Sequence, residues 1–111
     1  MPSQIIFSQA GPLPVTGFQF SSLGDMPMCL EINGSVYSTT DNQMIGIAIQ
    51  LNQTLLGTAQ IFSNGANTHR AVVPAYFQVQ LVPGTNFLSL SFSTKYTTSD
   101  ANDFFTAVLD Y

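Results

Sequence analysis

What most constrains this chain is the spacing of its apolar residues. They recur at every second position in short runs, and almost nowhere at the three-and-four spacing of an amphipathic helix. In the segment QMIGIAIQL, Ile45, Ile47, Ile49 and Leu51 fall on one side, and Gly46, Ala48 and Gln50 on the other. Met28, Leu30 and Ile32 share a face in the same way, with Cys29 and Glu31 opposite. Gly, Pro, Asn and Asp punctuate these runs at intervals of roughly ten residues, and no crossover helix separates them. The pattern predicts an all-β chain of about eight or nine strands, folded as an antiparallel β-sandwich of jelly-roll type.

The individual strands follow from local chemistry. Ile5 to Ser8 begins the series, and the prolines at 12 and 14 end it, because proline donates no ladder hydrogen bond. Phe18 and Phe20 alternate with Gln19 ahead of the turn-like SSLGD. Asn33-Gly34 reads as a bulge or tight turn, and Asn52-Gln53 as the link into TLLGTAQIF, whose opposing sides both carry apolar residues. Pro83-Gly84 is a type II turn signal, which predicts a hairpin of Tyr76–Val82 with Phe87–Ser93 and an inner face of Leu88, Leu90 and Phe92. The polar stretch from Thr94 to Asp103 leads into a closing strand, DFFTAVLDY. At 111 residues the chain is the size of one domain, with 1–24 as peripheral strands and connections and 25–111 as the core.

Charge narrows the function. Asp, Glu, Lys and Arg make up 7% of the chain, where a soluble domain carries about 25%, so hydroxyls and amides must wet the surface. Part of the shortage also fits a face buried between subunits, since interface centres are depleted in charge. Arg70 and Lys95 are the only basic residues and the net charge is −4, which leaves no cationic footprint for nucleic acid. No apolar run approaches the roughly 20 residues that cross a bilayer, and MPSQIIFSQA lacks the basic start of a classical signal peptide. No membrane insertion is expected. Cys29, the single cysteine, has no intrachain partner and reads as a buried, inert thiol.

Three sets of residues are candidates for chemistry. His69, the only histidine, has no ligand at metal-site spacing, and the nucleophile pattern GxSxG is absent, so catalysis is not expected. Asp100, Asn102 and Asp103 form an oxygen-rich loop of the kind calcium takes, although Asp and Asn are equally at home in turns. No other cofactor is implied. Asn64, Asn67, Thr68, His69, Arg70, Tyr96 and Asp100 offer the amides, hydroxyls and aromatic plane that recognise a sugar. Asn33-Gly-Ser and Asn52-Gln-Thr match the glycosylation acceptor triplet.

The segments GSVYSTTDNQMIGIAIQL, LLGTAQIFSN, HRAVVPAYFQVQLVPGTNFLSLSF and DANDFFTAVLDY together resemble the jelly-roll superfamily of tumour necrosis factor and the complement globular head, in particular small microbial or phage-borne members. Phe105-Thr106-Ala107-Val108-Leu109 is similar to the aromatic, small, small, apolar, leucine close of the complement heads. The resemblance spans Asp25 to Tyr111. It implies a non-enzymatic homotrimer on a virion, as a phage decoration or fibre domain, or on a microbial or extracellular surface. Its partners would be its own copies and other virion or surface proteins, with Tyr37, Tyr76, Phe77, Phe105 and Tyr111 as candidates for the threefold face. The alternative is a lectin on the same fold, with glycans as partners.

Overall fold

The computed structural model describes residues 3–22 and 27–110; Tyr111, one of the candidate interface aromatics, lies outside them. The strands are β1 (Ser3–Ala10), β2 (Val15–Ser22), β3 (Pro27–Val36), β4 (Gln43–Leu51), β5 (Thr54–Ser63), the short β6 (Arg70–Ala71), β7 (Ala75–Gln80), β8 (Gly84–Phe92) and β9 (Phe104–Asp110). No helix among the described residues is long and apolar enough to cross a membrane.

One sheet runs β1-β9-β3, and the far edge of β3 takes β7 along Pro27–Ile32 and β6 at Ser35–Val36. The other runs β2-β8-β4-β5, and the strand pairings of both sheets are antiparallel among the described residues. With the two-residue β6 set aside, this is the strand order of a jelly roll built from two Greek keys. The stretch assigned above to a periphery is integral to it. β1 pairs β9, β2 pairs β8, and Ile6, Phe7, Leu13, Val15 and Phe20 are buried in the common core.

Alternation does what the sequence predicts along β3 and β4. Met28, Leu30, Ile32, Ile45, Ile47, Ile49 and Leu51 all point between the sheets and are buried. Removing such a side chain from water contributes about 1.5–3 kcal/mol each, so these two facing strands supply much of the drive to fold. Asn52 and Gln53 close the β4–β5 hairpin with both residues at positive φ, the backbone a tight two-residue turn requires. The Asn52 amide also bonds Asn86 and the Phe87 backbone, so the acceptor triplet there is occupied by structural contacts.

Four local expectations are corrected. Asn33-Gly34 does not turn: β3 runs straight through it, with Gly34 opposite Phe105 of β9. The glycine is there for space, because a Cβ at residue 34 would lie 2.5 Å from the Phe105 ring and 2.9 Å from Ile47 of the facing sheet. Gly84 takes the left-handed φ of 91° that a Pro-Gly turn needs, yet β7 and β8 are not a hairpin, since β7 joins β3 in one sheet and β8 joins β2 and β4 in the other. Phe92 extends past the start of β2 and is 41% exposed instead of closing the inner face. Cys29 is half-buried on the outer face of β3, between Asp110 and Gln78, instead of in the core.

Candidate functional site

In a jelly roll the connections at one end of the sandwich converge, and here they bring residues from distant parts of the chain together. Ser35 lies near the end of β3, Tyr37 follows it, His69 precedes β6, and Asp100 and Asp103 lie in the turn that enters β9. The adjacency begins in the sheet: Gly34 and Phe105 are cross-strand partners, which sets Ser35 and Asp103 side by side.

Asp103 is the hub. It is fully buried, and its carboxylate accepts three hydrogen bonds: Ser35 Oγ–H and His69 Nδ1 at 2.7 Å each on Oδ1, and the Asp100 backbone N–H at 2.9 Å on Oδ2. A buried carboxylate is tolerable only when its lone pairs are met in this way. The turn returns the contact, with the Asp103 N–H donating to the Asp100 carbonyl and the Asn102 N–H to Asp100 Oδ1. The Gly11 N–H donates to the Asp103 carbonyl and the Leu13 N–H to Ser99 Oγ, so the β1–β2 connection is fastened to the same turn.

His69 sits on this base with its outer edge open. Its Nε2 is 3.6 Å from Asp100 Oδ2, the two side chains are 35% and 41% exposed, and the Tyr37 ring packs against the imidazole at 4.4 Å between centroids. The hydrogen bond to Asp103 raises the imidazole pKa above its ordinary value; partial desolvation opposes this, and the negative charges of Asp103 and Asp100 reinforce it. Because the folded-state value is the higher one, the ion pair contributes its full stability below about pH 6.5 and loses it as pH rises through the raised value. Thermal stability measured from pH 5.5 to 9 is therefore expected to fall across neutral pH in the wild type and to fall less in His69→Gln. Identical pH profiles for the two would contradict the pairing.

The candidate residues divide by position. Asn64, Asn67 and Thr68 are exposed on the β5–β6 connection, which is pinned by Asn67 N–H to the Ser38 carbonyl and Ala66 N–H to Asp41. Arg70 begins β6 opposite Val36, with its Nε buried and unpartnered. Tyr96 carries Lys95 Nζ 5.1 Å from its ring centroid. Asn102 offers its backbone N–H to the cluster. Among the aromatics considered for a subunit face, Phe105 is a correction: it is fully buried, with its ring against Gly34, because β9 is an interior strand flanked by β1 and β3. Phe77 packs half-buried against the core, Tyr37 is half-buried beside His69, and Tyr76 alone of the described set is fully open, at 62%. The reading of composition missed Ser35 and the role of Tyr37 against His69.

The chemistry of the cluster is that of a fixed donor–acceptor pair. The Ser35 hydroxyl faces the carboxylate instead of the imidazole, so the order of groups is not that of a nucleophilic triad, in which the histidine stands between serine and acid. His69, Asp100 and Asp103 each offer a ligand atom, all within 4.8 Å of one another. Calcium takes six to eight oxygens, whereas three of the four carboxylate oxygens here already accept hydrogen bonds from the chain and the third group is a nitrogen donor. The set does not fit calcium.

No protein-family model matches the sequence, and no curated protein matches it. Solved structures do resemble the fold. The dimeric latent PorU of Porphyromonas gingivalis superposes with a TM-score of 0.57 at 9% identity over 94% of this chain, which spans 10% of that chain's length. The EclA C-terminal domain, a sugar-binding protein, gives 0.50 at 11% identity over 90% of this chain and 67% of its own. A looser likeness, 0.47 at 8% identity over 99% and 87%, is to the carbohydrate-binding module CBM36 in complex with calcium and xylotriose. At these identities the likeness establishes the antiparallel β-sandwich and nothing finer.

Proposed function

We propose that this chain is a non-catalytic carbohydrate-recognition domain that takes its sugar at the loop end of the sandwich. The observation that carries the reading is the half-exposed His69–Asp100 pair, held in place by the buried Asp103 and backed by the Tyr37 ring. Adjacent sugar hydroxyls need a donor and an acceptor at fixed separation, and here Asp100 accepts while the His69 Nε2 side donates. The exposed amides of Asn64 and Asn67 extend the same polar surface. The sugar-binding EclA domain offers a precedent for the fold in this role, although fold alone does not select function.

The homotrimeric virion module is the weaker reading. Its aromatics do not form one open face: Phe105 belongs to the core, Tyr37 to the loop end and Phe77 to the sandwich edge. Sugar recognition suits a cell-surface, extracellular or virion setting equally, and we assign the domain to such a surface.

A glycan array tests the proposal. The wild type is expected to bind a defined group of glycans, and Asp100→Ala to bind them at least about tenfold more weakly, since one hydrogen bond to a charged group is worth about 1.5–3 kcal/mol and 1.4 kcal/mol is tenfold. A blank array, or equal binding by the variant, would reject it.

A further inference from the structure

A concavity lies away from the loop end, on the outer face of the β2-β8-β4-β5 sheet. It is a groove of about 290 Å³ lined by Thr16, Gly17, Gln50, Gln53, Phe87 and Ser89. We infer that this groove is a second binding site, for a neutral oligosaccharide; the inference rests on the carbohydrate reading above and names the ligand class for a different surface.

The groove is built, not incidental. β2 breaks its register with β8 between Val15 and Phe18, and Gly17, at φ 60°, folds inward so that its N–H donates to Ser89 Oγ at 2.8 Å. That raises one wall. The opposite wall is the Asn52-Gln53 turn, fastened to β8 by two reciprocal hydrogen bonds between Asn52 and the Phe87 backbone, each 2.8 Å. Gln50 and Ser89, cross-strand partners, share the floor. Its volume of about 290 Å³ falls just below the usual span of small-molecule sites, roughly 300–1,000 Å³.

Its chemistry selects the ligand. The lining holds two side-chain amides, two hydroxyls, a backbone glycine and the Phe87 ring, which is 44% exposed, and not one charged group. Amides and hydroxyls both donate and accept, as sugar hydroxyls do, and a phenyl face receives the C–H face of a pyranose. A phosphate, sulfate or uronate would find no cation there. An extended peptide could not add a strand to the floor of the groove, because β8 is paired on both sides, to β2 and β4, and β4 to β8 and β5.

The test is a titration of the ¹⁵N-labelled chain with neutral trisaccharides (cellotriose, xylotriose and mannotriose) and with glucuronic acid as the charged control. At least one neutral trisaccharide is expected to move the Gly17 and Ser89 amides and the Gln50 and Gln53 side-chain signals saturably. Phe87→Ala and, independently, Gln50→Ala should weaken that response at least tenfold, while His69→Ala leaves it intact. Phe87 and Gln50 are solvent-facing, so both variants keep the core. Shifts confined to the loop end overturn this inference and leave the proposed function standing. Groove shifts caused only by glucuronic acid, or surviving both substitutions, overturn it as well, and no shift with any sugar overturns both.

Discussion

Phe105→Ala is expected to lower the unfolding free energy by about 3–5 kcal/mol, a large part of the 5–15 kcal/mol that typically holds a domain together. The ring is fully buried and lies across Gly34, in the core between the two layers at the point where the loop end begins. Gly34, Ile47 and the backbone around them are fixed by sheet pairing on both sides and cannot close the space that alanine leaves. Denaturant unfolding should show a lower midpoint with an unchanged slope. If Phe105 instead served only a subunit face, the variant would lose association and keep the stability of its monomer.

The second large effect belongs to Asp103. Replacing it with alanine strands three donors at once, the Ser35 hydroxyl, the His69 Nδ1–H and the Asp100 N–H, two of which bridge different strands and loops. Leaving a buried donor without its acceptor costs about 1–3 kcal/mol, or roughly 5–15 °C of melting temperature for a domain near this size. Asp103→Asn should recover part of the loss, since the amide keeps an acceptor for one donor but adds donors of its own. Asp103→Ala is also expected to reduce the fall in stability across neutral pH, because His69 loses the bond that contributes most to its raised pKa and keeps only the charge of Asp100. A variant that melts with the wild type would show that the carboxylate is not the hub.

Much of the fold was legible because strand parity is a local property. Ile45, Ile47 and Ile49 announce their face by alternation alone, and Asn52-Gln53 carries its own turn chemistry. Sheet membership is not local. The Pro83-Gly84 signal describes a turn correctly but is silent on whether the chain then pairs with the strand it has just left or crosses to the other layer. Gly34 misled for a related reason: a glycine that makes room for a ring on a neighbouring strand looks, in sequence, like one that makes a turn.

The candidate site was legible in its parts. His69 and Asp100 were drawn from one argument and Asp103 from another, and nothing in the sequence joined them, because the bonds that do so span 34 residues to His69 and 68 to Ser35. The usable clue was topological: the residue just before the last strand lies beside the end of β3 once β9 pairs with it. The outer groove left less trace still, since Gln50, Ser89 and Gly17 read singly as ordinary outward-facing positions of a half-solvated sheet.

The most direct test of the central claim is the ¹H signal of the His69 imidazole, the only histidine in the chain, followed while an array-selected glycan is added. A saturable shift of that signal with the same dissociation constant as overall binding is expected, together with a change in the imidazole pKa on saturation. Binding that leaves the His69 resonance and its titration unmoved would contradict a sugar site at the His69–Asp100 pair.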